Sequence, residues 1–396
     1  MAPKSRKTGF WKAVRGVVLA LGLTGLFQFL EFHGWLASAE SNIFDYLLAP
    51  AKSDKRGSIL TVEIDDDAYK DCFKSTSPLN PKKVLRVVDL VNEANPLVIG
   101  VDIITEALEY QSEALKPRNK VVWIAGGEDA YTPPVSFWDW MMGRPNPTVV
   151  RPGPVLGHDN LTTALWGLPV FPADEDSTIR RVYQKVVLSP LGDSHRTLDS
   201  WALTIARQYC AATNRCKEDV DKTSEETVYL VYGAPTPGRF RFHDLFQCSG
   251  ESVEKGLFFE AFKEKAKGKI VLIGGTFKSA RDTYDTPAGR LPGLLVNAYA
   301  IQSEIDGTFL KEENRTAAII LDLSIGWGIG LISWLAHKHH LTWPFWVISA
   351  GLVMAAVMCF WWFLGKEYLP GFVGIVLGVM VGRGIEAKRE HEKPAH

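Results

Sequence analysis

What most constrains this chain is where its apolar residues lie. One apolar segment, Gly16 to Leu30, follows the basic residues Lys4, Arg6, Lys7, Lys12 and Arg15, and three more, Ala317–Leu335, Trp343–Leu364 and Tyr368–Val381, crowd the C-terminal end. Segments of this kind suit membrane-spanning helices, because a bilayer core is crossed by about 20 apolar residues in helical form. Everything between them is mixed in composition. The pattern predicts a basic cytoplasmic N-terminus at 1–15, a first helix at 16–37, a water-facing domain at 38–315, helices at 316–336, 343–364 and 368–384, and a short cytoplasmic tail at 385–396. A domain of roughly 280 residues is large enough to bury a substantial core.

Charge sets the orientation. Lys and Arg flanking a span stay in the cytoplasm, so the domain is exported and both termini lie inside. The His337-Lys338-His339-His340 turn and the charged tail from Arg383 to Lys393 fall on the same side when the chain crosses four times. Ala37-Ser38-Ala39 also fits a small-residue cleavage pattern. Its distance from Leu30 favours an uncleaved anchor, with Trp35 at the interface, over a removable signal peptide. A net charge of −1 argues against a nucleic-acid partner. Asp322, inside an apolar segment, is predicted to point into the helix bundle. Gly374, Gly378 and Gly382 recur every fourth residue and allow close helix packing, within the chain or between copies.

The exported part reads as α/β, a central, mostly parallel sheet flanked by helices. Ile59–Asp65, Leu97–Ile103, Lys120–Ala125, Val182–Leu188, Thr227–Tyr232 and Lys269–Ile273 have strand character, and Pro81–Asn92, Leu198–Tyr209, Phe258–Lys265 and Leu294–Ile305 helical spacing. Strand–helix–strand order implies parallel pairing with right-handed crossovers. Ligands bind beyond the C-terminal ends of such strands. Asp65, Asp66, Asp102, Asp282 and Asp285 all stand at or just past those ends. Together they suit a divalent cation, a cationic ligand or acid–base chemistry. Arg180, after the acidic turn from Asp174, is a candidate partner for them. Helix capping and turn satisfaction are the alternative for each aspartate.

Tyr131 to Gly157 is rich in Pro, Gly and Trp and is expected to be a long loop, with Trp138 and Trp140 as a candidate partner contact or as aromatics folded onto the domain. Cys72, Cys210, Cys216 and Cys248 lie in the exported region, an even number compatible with two disulfides. Cys210 with Cys216 would leave Cys72 with Cys248, though three pairings are open. No His–Cys spacing suits a metal site, and no complete catalytic motif is present; Gly274 to Ser279 lacks the spacing of a phosphate loop. No cofactor is expected.

Phe44-Asp45, Val62 to Asp66, Pro96 with Val98 to Asp102, Asp174 to Arg181, and above all Gly268 to Gly274 with Asp282, Thr286-Pro287, Pro292-Gly293 and Asn297-Ala298 resemble the type-two CHASE domain, an extracytoplasmic sensory module of bacterial receptors. The resemblance spans nearly the whole chain. It implies a bacterial inner-membrane sensor whose periplasmic domain detects a ligand or partner. Members usually carry a cytoplasmic output module, and only a short tail follows Val381. The expectation is therefore a stand-alone form that signals through its helix bundle to a separate output protein, with a homo-oligomer as a further candidate assembly. Two other readings are an assembly subunit of an envelope complex and an exported enzyme using the aspartates.

Overall fold

The structure, a computed structural model, describes residues 57–111, 120–131, 149–153, 155–156, 165–174, 176–188, 197–213, 227–230 and 236–311, with Asp45 and Tyr232. The chain divides into two compact units, one taking Asp45–Pro134 and Asn146–Phe309, the other Met1–Phe44, Val135–Pro145 and Leu310–His396. Nearly all the described residues belong to the first of these. The segments at 16–37, 316–336, 343–364 and 368–384, with Asp322, Gly374, Gly378 and Gly382, lie outside the described residues, as do Trp138, Trp140 and Cys216. Among the described residues no helix is long and apolar enough to cross a membrane.

In chain order the elements are β1 (Ile59–Ile64), α1 (Asp66–Asp71), α2 (Pro81–Glu93), β2 (Val98–Asp102), β3 (Val121–Ile124), β4 (Gly127–Tyr131), β5 (Val149–Pro152), β6 (Leu165–Gly167), β7 (Arg181–Tyr183), β8 (Lys185–Leu188) and β9 (Thr197–Asp199). Then come α3 (Trp201–Thr213), β10 (Thr227–Tyr229), β11 (Gly238–Arg241), the single turn α4 (Phe242–Leu245), the hairpin β12 (Phe246–Ser249) and β13 (Ser252–Lys255), and α5 (Phe259–Ala266). β14 (Ile270–Gly275), the hairpin β15 (Thr283–Thr286) and β16 (Gly289–Pro292), and α6 (Gly293–Asp306) complete the described domain.

The main sheet has the order β11-β1-β14-β2-β3-β6, and every pairing in it is parallel. β14, late in the chain, slots between β1 and β2. Its apolar run is buried from Ile270 to Ile273, as suits a strand covered on both faces. One face packs Leu60, Val62, Val101 and Val271 with Val84, Val87, Val88 and Val91 of α2 and with Phe259 and Phe262 of α5. The other packs Ile59, Val98, Val122 and Leu272 against Trp201, Ile205 and Ala206 of α3 and Leu294, Val296 and Ile301 of α6. Asn80 caps α2, its Oδ1 accepting the Lys83 N–H at 3.3 Å, and Pro81 at the first helical position gives up no needed donor.

Four elements depart from the pattern read in the sequence. The strand expected over Val182–Leu188 is two strands in different sheets. β7 pairs antiparallel with β10, whereas β8 joins the mixed sheet β4-β5-β8-β9. The break is at Gln184, whose backbone C=O accepts the Ser200 N–H at 2.8 Å and whose side chain turns inward to Glu304. Leu198 belongs to β9, and α3 begins later, where the Ser200 hydroxyl accepts the Leu203 N–H. Both margins of the expected long loop are strands, β4 and β5, paired antiparallel. The turn-rich stretch after β14 folds as the β15–β16 hairpin, with the Thr286 hydroxyl donating to the Gly289 carbonyl.

Cys72, at the end of α1, is disulfide-bonded to Cys248 of β12. Cys210 is also disulfide-bonded, to a partner outside the described residues. The Cys72–Cys248 bridge closes a loop of sequence separation 176, so it restricts the unfolded chain strongly. Replacing both cysteines with Ala should cost roughly 2–5 kcal/mol of stability. Thermal unfolding is the measurement, and the wild-type domain unfolded in reductant should shift towards the variant.

Candidate functional site

The C-terminal ends of β1, β14 and β2 lie side by side, since Glu63, Gly274 and Asp102 share one register row. Here the parallel sheet stops and α6 begins to cover it. Gly274 has no room for a side chain; a Cβ there would sit 2.8 Å from Leu294 Cδ1 and 3.0 Å from Asp102 Cβ. The glycine thus lets α6 and the end of β2 approach β14 closely.

Asp102 is partly buried in this crevice. Its Oδ2 accepts from Asn297 Nδ2 at 3.2 Å, and Asn297 is itself buried in the first turns of α6. Asp282, on the segment between β14 and β15, brings a second carboxylate. Its oxygens would lie 2.3 and 2.4 Å from a Cβ at Gly293, and its backbone C=O accepts the Gly293 N–H at 3.0 Å. The Tyr284 hydroxyl hydrogen-bonds to Asp282. Burial, then the charge of Asp282, pushes the Asp102 carboxyl up to about 7, while the Asn297 hydrogen bond opposes the shift. Asp282 is likewise raised by burial, with the Tyr284 hydrogen bond acting against it. Both acids are therefore held above the ordinary carboxylate range, Asp102 far enough to gain or lose its proton near neutrality.

The five aspartates singled out by their strand-end positions do not converge. Asp102 and Asp282 meet. Asp65 caps α1, its Oδ1 accepting the Ala68 N–H at 3.0 Å. Asp66 Oδ1 accepts the Lys278 N–H at 2.8 Å and fastens the loop after β14 to the start of α1. Asp285 is an exposed residue of β15 opposite Arg290, and its backbone C=O accepts the Ile179 N–H at 2.8 Å. Among the described residues no group of three or more His, Cys, Asp and Glu is placed to hold a metal ion.

Arg180 is not a partner of the crevice acids. It is almost wholly buried and gathers Asp45, Asp174 and Asp176 around its guanidinium. Arg181 pairs with Asp174 at 2.5 Å. The Arg180 hydrogen bonds hold the Asp176 carboxyl down at about 2. A buried charge so fully compensated is the mark of a structural node. Glu63 forms a further pair, with Arg239 Nε and Nη2 donating to its two oxygens at 2.6 and 2.7 Å. Asn297, Tyr284 and Gly293 complete the crevice without having stood out as site residues. Gly293 and Asn297 have a sequence signal in the Pro-Gly-x-x-x-Asn spacing at the helix start, which places the Asn one turn in, facing the strand ends.

Asp102 gives a pH dependence with a definite sign. Its folded value lies above the unfolded one of about 3.9. Its stabilising share is therefore complete below that unfolded value and is lost as pH rises to about 7. The upper limit of the slope is about 1.4 kcal/mol per pH unit. Asp102→Asn should flatten the fall in the thermal midpoint between pH 5 and pH 7, whereas an unchanged slope would show that Asp102 is ionised throughout. Separately, Gly293→Ala drives a methyl into the Asp282 carboxylate and should cost about 1–3 kcal/mol, read by the same unfolding.

A family model for the CHASE2 domain matches residues 17–338. No curated protein and no solved structure matches the chain. CHASE2 domains are extracellular sensory domains, and the residues that meet at the crevice, Asp102, Gly274, Asp282, Gly293 and Asn297, are among those that carry the resemblance. With the match covering most of its length, the chain belongs to the CHASE2 family.

Proposed function

We propose that this protein is a bacterial inner-membrane sensor. Its CHASE2 domain faces the periplasm, and the apolar segments at 16–37, 316–336, 343–364 and 368–384 hold it in the membrane with both termini in the cytoplasm. A ligand or partner detected outside changes the domain, and the membrane helices carry that change to an output protein. The observation that carries this reading is the reach of the family match, residues 17–338, which takes in the first two apolar segments together with the whole domain between them. The Cys72–Cys248 disulfide supports export, because such bonds persist in oxidising compartments.

The crevice supports a role in detection. It lies beyond the C-terminal end of the central strand, where open parallel sheets bind ligands. α6, which builds one wall with Gly293 and Asn297, ends at Asp306, a few residues before the apolar segment at 316–336. Its 14 residues span about 21 Å at 1.5 Å per residue. The helix that presents Gly293 and Asn297 is thus the last described helix before the apolar segment at 316–336 in sequence.

Sidedness tests the reading. Epitope tags at each terminus and one inserted near Gly157 should separate in spheroplasts, with added protease removing the Gly157 tag and sparing the terminal ones. Digestion of either terminus with the internal tag protected would overturn the assignment.

A further inference from the structure

We infer that Glu304 is a proton-operated contact at the seam between α6 and α3, closed when the acid is neutral and loosened when it ionises. Only its use as a signal rests on the sensing role proposed above. Glu304 is 3% exposed. Among the described residues only Gln184 hydrogen-bonds to its carboxyl, with Nε2 donating to the two oxygens at 3.0 and 3.3 Å. Gln184 is itself buried and carries no charge. A buried carboxylate held by an amide retains most of its desolvation cost, which the protonated acid avoids. The same amide serves the neutral form. Turned by half a revolution, it puts Oε1 where Nε2 stands, as an acceptor for the acid O–H.

The charged groups around Glu304 offset that cost only in part. Burial pushes the carboxyl up to about 8, against the Gln184 hydrogen bond and the charge of Arg207 on α3, which both lower it. Arg207 Nη1 donates to Asp199 of β9, and Asp199 acts on Glu304 in the same sense as burial. Lys185 of β8 stands opposite Asp199 in the strand pairing. On the same turn of α6, the buried Ser303 Oγ has no hydrogen-bond partner, so this turn is held by fewer bonds than its polar atoms can make.

The contact joins three elements. Gln184 stands at the break between β7 and β8, and its backbone C=O accepts the Ser200 N–H at 2.8 Å just ahead of α3. The Ser200 hydroxyl accepts the Leu203 N–H in the first turn of that helix. Glu304 thus reaches the start of α3 through a single residue. Beside it, Trp201, Ile205 and Ala206 of α3 share one apolar cluster with Ile301 and Ile305 of α6. An ionised Glu304 gains by reaching water, and it does so only where α3 and α6 part. The folded value lies above the unfolded one of about 4.3. The advantage of the closed seam is therefore complete below that unfolded value, is lost as pH rises to about 8, and changes no further beyond it.

Hydrogen exchange read by mass spectrometry between pH 5 and pH 9.5, corrected for the intrinsic rate at each pH, tests the contact on the purified full-length chain in detergent. Every sample carries Asp102→Asn, which removes the slope due to the crevice acid. In this parent, protection of the α3 peptide should fall at least about tenfold from pH 5.5 to pH 8 and then level off. Glu304→Gln keeps a hydrogen-bonding group of the same size that cannot ionise, and should hold protection constant within about twofold across the range. A slope equal to the parent's would overturn the proposal. Gln184→Met removes the donor that favours the ionised form, so the levelling point should move up by at least about half a pH unit. An unmoved point would also overturn it, and this variant carries the test if unprotected peptides of β12, β13 and α5 show that Glu304→Gln does not fold. The readout uses purified protein, so it stands or falls independently of sidedness, which the spheroplast digestion reports on its own.

Discussion

The architecture depends on the burial of β14. Its apolar residues Ile270 to Ile273 are covered on both faces, and it hydrogen-bonds to β1 on one side and β2 on the other. A parallel sheet of this kind has to be sheathed by helices above and below, because neither face is polar enough to meet water. That requirement places α2 and α5 on one side and α3 and α6 on the other. It also fixes where the sheet can be open. β14 ends in Gly274 and Gly275 between the ends of β1 and β2, and the covering helix α6 starts just beyond the hairpin that follows. Asp102 and Asp282 lie at that junction.

Around it the domain treats buried charge in three different ways. Burial raises both Asp102 and Asp282, and at Asp102 the charge of Asp282 adds to it, so the protonated forms are favoured. Arg180 keeps its charge and surrounds it with carboxylates. Glu304 lies deep against α3 with Gln184 donating to both its oxygens, and burial pushes it up to about 8 in spite of that hydrogen bond and the nearby Arg207. Two of these three arrangements involve α6. Although buried along most of its length, α6 carries Asn297, Gln302, Ser303 and Glu304 inside. Asn297 is bonded to Asp102, Gln302 to Ser58 and Glu304 to Gln184. Those bonds fix its rotation more tightly than apolar packing alone, which tolerates adjustment.

The sequence made the sheet legible wherever a strand is a buried apolar run, as in Ile59–Ile64, Val98–Asp102, Val121–Ile124 and Ile270–Gly275. It made α2 legible through its valine spacing. It did not reveal β11, whose Gly-Arg-Phe-Arg has no apolar run because it is an edge strand with one neighbour. Nor did it reveal β6, only three residues long, or the β15–β16 hairpin, whose turn is closed by the Thr286 hydroxyl on the Gly289 carbonyl. The site was half legible. Position at a strand end brought out Asp102 and Asp282, but also Asp65, which caps a helix, and Asp66, which fastens a loop. Strand-end position alone cannot separate those roles, since a carboxylate that accepts a backbone N–H and one that faces a crevice occupy the same place in the pattern. Asp45 was visible as a motif residue, but its pairing with Arg180 joins positions 135 residues apart, beyond the reach of any local pattern.

The crevice is built against anions. A helix N-terminus usually attracts negative charge, and here that of α6 is already faced by the protein's own Asp282 carboxylate packed on Gly293. An incoming anion would meet two acids and gain nothing from the helix dipole. A proton or a cation instead offsets the charge of Asp282 that acts on Asp102. A ligand shifts a two-state domain only by its difference in affinity between the states. On the proposed sensing role, that difference would come from the elements that hold the two carboxylates, β2 for Asp102 and, for Asp282, the segment packed on Gly293 at the start of α6.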